Sequence, residues 1–62
     1  MSRNKTLYWF ETDIPELYYS FVSGCRVEKL ITRKGERFCV GSMEKALIVF
    51  ESEKMMVKFL VS

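Results

Sequence analysis

The stretch Asp13-Ile14-Pro15-Glu16-Leu17-Tyr18-Tyr19-Ser20-Phe21-Val22-Ser23-Gly24 carries the strongest local signal in the chain, and its reading decides the fold. Asp13 is placed to cap free amides, Glu16 completes a capping-box-like pattern three residues on, and Pro15 suits a first helical turn. Ile14, Leu17, Tyr18, Phe21 and Val22 recur at i, i+3, i+4, i+7 and i+8 as one apolar stripe, and Gly24 can end a helix in the left-handed conformation. The spacing predicts a short helix over residues 14–23, packed on a sheet.

Upstream, Lys5-Thr6-Leu7-Tyr8-Trp9-Phe10-Glu11-Thr12 is aromatic and β-branched with apolar residues on both faces, the pattern of a central strand. Downstream, Val27-Glu28-Lys29-Leu30-Ile31-Thr32 and Arg37-Phe38-Cys39-Val40 flank Lys34-Gly35, which predicts a hairpin over residues 26–41 closed by a two-residue loop. That loop would pair Ile31 with Phe38, Lys29 with Val40, Thr32 with Arg37 and Leu30 with Cys39. Val27, Ile31, Phe38 and Val40 are then expected on the core face, with Glu28, Leu30, Thr32, Arg37 and Cys39 on the other.

Residues 43–54 fit two readings. A helix would begin at Ser42 and gather Met43, Ala46, Leu47 and Phe50 on one side, whereas Ala46-Leu47-Ile48-Val49-Phe50 is also a continuous strand-like run. Met55-Met56-Val57-Lys58-Phe59-Leu60-Val61 alternates as a closing strand. Either way the class is α+β: an antiparallel sheet of four or five strands packed by the helix at 14–23. A second helix at 43–54 would give the ferredoxin-like order β-α-β-β-α-β.

The chain has 62 residues, 48% of them hydrophobic, 15% aromatic and 29% charged. That composition predicts one folded domain over residues 1–62, with residues 1–4 a flexible basic arm. A domain this small leaves a large share of its surface wet and has no room for a deep enzyme cleft. No apolar run reaches a membrane span and no apolar segment follows the first five residues, so the expectation is a cytoplasmic protein with neither anchor nor leader.

Histidine is absent, which removes the commonest general base and metal ligand together. Cys25 and Cys39 lack any C-x-x-C partner and make a poor zinc set. Under the expected hairpin register they stand roughly 16 Å apart, too far for a disulfide. Glu11, Asp13 and Glu16 are accounted for by the expected helix start, where negative charge opposes the dipole. The three glycines form no phosphate-cradling loop. The expectation is therefore no enzyme, no cofactor and no metal.

Two functional readings remain. The first is a small interaction protein, an inhibitor, adaptor or regulatory accessory factor of the phage or mobile-element kind. It would bind a larger protein through an aromatic and arginine surface, with Trp9, Tyr19 and Arg37 as its contact residues. The second is a nucleic-acid-binding regulator gripping phosphates with Arg33, Lys34 and Arg37 at the hairpin tip, since residues 26–37 carry five basic side chains against two acidic ones. The overall charge of +2 is mild and favours the first. An open sheet edge also leaves room for a homodimer.

Overall fold

The computed structural model describes residues 7–62, and in it the stretch read as a helix over 14–23 is extended. The first strand, β1 (Phe10–Glu11), runs antiparallel to β2 (Leu17–Val22), which pairs in turn with β3 (Cys25–Thr32). The helix-start signal is a turn signal instead. Pro15 follows the first residue of a tight turn in which the Leu17 amide donates to the Ile14 carbonyl at 3.0 Å. The Thr12 hydroxyl secures that turn by accepting from the Ile14 amide at 3.1 Å and donating to the Leu17 carbonyl at 2.8 Å. At the far end, Ser23 (φ 51°) and Gly24 (φ 80°) both take positive φ, the conformation of a type I′ hairpin loop. Gly24 therefore turns a hairpin and does not end a helix.

The hairpin over residues 26–41 forms, with β3 joined to β4 (Gly35–Val40), but its loop is Arg33-Lys34 and not Lys34-Gly35. Val27 pairs with Val40, Lys29 with Phe38, Leu30 with Arg37 and Thr32 with Gly35. Gly35 takes φ 118°, and the Thr32 hydroxyl accepts from the Lys34 amide (3.1 Å) while donating to the Gly35 carbonyl (2.7 Å). The glycine's conformational freedom is spent on entering β4, so the turn sits one residue earlier. Because each partner moves by two positions, the two sheet faces keep the residues expected of them.

Residues 43–54 are neither a helix nor a long strand. Met43–Lys45 forms a single 3-10 turn, Val49–Phe50 forms the short strand β5 beside β4, and Ser52 caps the helix α1 (Glu53–Val61). The expected closing strand over 55–61 is thus helical. Ser52 Oγ accepts from the Met55 amide at 3.2 Å, Glu53 stands in the first turn, and Met56, Val57 and Leu60 share the inward side. The five strands are neighbours in chain order, and the helix follows them. The protein is a small α+β domain, without the β-α-β-β-α-β order. The segment expected as a central strand supplies only an edge, β1. The start of that segment at Lys5 and Thr6, and the basic arm at residues 1–4, lie outside the described residues.

Helix α1 covers one face of the sheet. Val22, Val27, Phe38 and Met56 are buried there, with Leu7, Trp9, Val40, Phe50, Val57 and Leu60 packed around them. Burying Met56 completely contributes about 2 kcal/mol. Ile31, expected in this core, lies near the hairpin tip and is exposed.

Candidate protein-binding face

Strand alternation places Leu17, Tyr19, Phe21, Arg26, Glu28, Leu30, Arg37 and Cys39 on the sheet face away from α1. The Met43–Lys45 turn covers one end of that face, over β3 and β4. Beneath it Glu28 is only 5% exposed, and its carboxylate accepts from the Met43 amide at 2.6 Å and from Arg26 Nη2 at 3.1 Å. A buried carboxylate is tolerated because both oxygens meet charged or amide donors. Cys39, directly opposite Glu28, is fully buried. Burial pushes its thiol above the ordinary value of 9.0, and the Glu28 carboxylate pushes the same way.

The other end of the face is aromatic, and no element among the described residues covers it. Phe10 pairs with Tyr19 across the β1–β2 ladder, and their rings stack with centroids 5.2 Å apart. Tyr8 meets Phe10 edge-on at 4.8 Å, and Phe21 meets Tyr19 edge-on at 6.0 Å, both favoured geometries for ring quadrupoles. Four rings thus form a continuous row. Tyr8 is 73% exposed, Phe21 53% and Phe10 42%. The Arg26 guanidinium sits 4.4 Å from the centre of the Tyr19 ring and at the same time holds Glu28, so its orientation is set from both sides.

The residues expected at a partner surface are divided by this arrangement. Tyr19 lies at the centre of the row, between Phe10 and Arg26. Arg37 shares the face but stands about 12 Å from Tyr19, two strands across and two residues along. Trp9 is on the opposite side, packed on Phe38 with centroids 5.8 Å apart, its indole N–H donating to Glu53 Oε1 at 3.2 Å. Lys29 Nζ lies 5.0 Å from both the Trp9 and Tyr18 rings, so the tryptophan is committed to the fold. Phe21 neighbours Tyr19 along β2, whereas Tyr8, Phe10 and Arg26 join it only through the pairing of β2 with β1 and with β3. A legible trace of this existed in the alternation Leu17, Tyr19, Phe21, which the helical reading obscured.

Arg33 and Lys34 are exposed in the hairpin loop. The acidic turn lies beside them, because the Ile31 amide donates to the Glu16 carbonyl at 2.9 Å. Cys25 is exposed, Cys39 is buried, and both are free thiols. Among the described residues no three His, Cys, Asp or Glu side chains gather to hold a metal ion. Among them, too, no helix is long and apolar enough to cross a membrane. Compared with protein-family models, curated proteins and solved structures, the chain matches none.

Proposed function

We propose that this chain is a small non-enzymatic interaction protein, an adaptor, inhibitor or regulatory accessory factor, that binds a larger protein through the row Tyr8, Phe10, Tyr19 and Phe21 with Arg26. The observation that carries this reading is the row itself: four rings in mutual contact on an open sheet face, with an arginine fixed over one of them. Aromatic and arginine side chains supply most of the binding energy at protein interfaces. Rings already held by one another lose little conformational freedom on binding, so more of their contact energy appears as affinity. None of the three exposed rings belongs to the buried core, which leaves them available to a partner.

The proximity of residues 13–16 to the hairpin loop weighs against phosphate binding there, since Asp13 and Glu16 oppose the field of Arg33 and Lys34. The test is affinity capture from the native host with the wild-type chain and with a Phe10→Ser, Phe21→Ser double variant, beside oligonucleotide titrations at about 50 and 200 mM salt. The expected result is a protein captured by the wild type and lost with the double variant, with no salt-sensitive oligonucleotide binding. Oligonucleotide binding that falls steeply with salt and disappears on neutralising Arg33, Lys34 and Arg37 would replace this reading with the nucleic-acid one.

A further inference from the structure

A second apolar surface lies at the opposite side of the sheet, where β5 forms the edge. Residues 46–48 leave the 3-10 turn and reach β5 in an irregular stretch, and the side chain of Leu47 is 99% exposed. Beside it is an open groove of about 240 Å³, lined by Lys45 and by the apolar side chains of Val40, Ala46, Leu47, Ile48, Phe50 and Phe59. Phe50 and Phe59 form its aromatic wall, centroids 5.4 Å apart. Met55, one helical turn before Phe59, extends the same stripe of α1 and is also exposed. No strand among the described residues pairs with the outer side of β5.

We propose that the chain associates with a second copy of itself across this edge, the Leu47 of each protomer seated in the groove of the other. The patch is self-complementary: it carries a protruding apolar knob and, next to it, a mainly apolar hollow whose one charged lining residue is Lys45. Two-fold symmetry requires this of an interface in which both partners use the same surface. An apolar cavity of about 150 Å³ accommodates benzene, so the groove has room for a leucine side chain. At about 200 Å² for a fully exposed large side chain, Leu47, Ile48, Met55 and Phe59 leave on the order of 500 Å² uncovered, against about 800 Å² per partner in a standard interface. The adjoining β5 backbone and rim supply the remainder. The association is accordingly reversible and concentration-dependent, and it closes the sheet edge that would otherwise invite uncontrolled pairing.

The test is sedimentation of the full chain over micromolar to millimolar concentration, with Leu47→Glu as the disrupting variant. That position has no intramolecular packing to lose, so the variant keeps the wild-type circular dichroism. The expected result is a mass twice the 7.4 kDa of one chain for the wild type and a single-chain mass for Leu47→Glu. In a mixed-isotope dimer, filtered NOEs should connect the Leu47 methyls of one protomer with the Phe50 and Phe59 rings of the other. The Phe10→Ser, Phe21→Ser variant serves as control and should dimerise normally, which separates this surface from the aromatic row. A wild-type chain that remains single at every concentration overturns the proposal. So does a dimer that survives Leu47→Glu or lacks those NOEs.

Discussion

The carboxylate of Glu28 accepts the main-chain N–H of Met43 at 2.6 Å, and through it the middle of the sheet holds the 3-10 turn that covers Cys39. Fifteen residues separate the two in sequence, and the same carboxylate orients Arg26 over Tyr19. One buried acid therefore closes one end of this sheet face and shapes the aromatic row at the other.

Replacing Glu28 by Ala leaves the Met43 amide without its charged acceptor and releases Arg26. A hydrogen bond to a buried charged group is worth about 2 kcal/mol, and that is the expected loss on urea denaturation. Glu28→Gln keeps an acceptor for the amide and should lose about half as much. Equal losses for the two variants would mean that packing, and not the bond to Met43, is what Glu28 contributes.

Glu53 ties the first turn of α1 to the N-terminal side of the sheet, accepting from the Trp9 indole at 3.2 Å and from the Leu7 amide at 3.3 Å. Trp9→Phe and Glu53→Ala should each cost on the order of 1 kcal/mol. In a double-mutant cycle the two changes should be non-additive, because both remove the same bond. Glu53→Ala should also shift tryptophan emission to the red as water reaches the indole.

The two thiols should differ sharply in reactivity. Cys25 is exposed and should be modified at once by a disulfide reagent, while Cys39 should react only as fast as the protein opens. The raised Cys39 value also sets a pH dependence. The folded chain keeps this proton where the unfolded chain releases it, so its stabilising contribution is complete below about 9 and declines as the pH rises through the folded value. Comparing wild type with Cys39→Ala at pH 8 and pH 10 isolates the effect, and the wild type should lose more stability over that interval.

The Ser23-Gly24 loop offers a purely conformational test. A Cβ added at Gly24 meets no atom within 4 Å, yet its φ of 80° is one that L-residues resist. Gly24→Ala should therefore cost about 1 kcal/mol without any steric clash. Ser23 already occupies positive φ, and Ser23→Asn, the residue preferred at that position, should raise stability by about 0.5 kcal/mol. Thermal unfolding of the two variants checks both signs.

The segments at 14–23 and 55–61 show why a local pattern can be read in two ways. Leu17-Tyr18-Tyr19-Ser20-Phe21-Val22 has apolar residues on both sides of a strand and also at helical spacing, so neither period excludes the other. Six paired positions with β3 decide for the strand. At the C-terminus Met55-Met56-Val57 and Phe59-Leu60-Val61 alternate imperfectly, and the local signal that favours a helix is Ser52 as a cap before Glu53. The aromatic row depends on the strand, since a helix would disperse Tyr19 and Phe21 around its axis.

The amino-acid sequence by itself determined the α+β class, the hairpin strands at 27–32 and 37–40, and the residues that share each of their faces. These follow from composition, strand alternation and short-range turn chemistry, which act within a few residues. Only the tertiary structure decided which segment became the helix, where the hairpin turned, and that Trp9 packs inward while Tyr8, Phe10, Tyr19 and Phe21 line up outside. Those outcomes depend on ladder pairing and on burial of Val22, Val27, Phe38 and Met56 between distant segments, free energies that no local window contains.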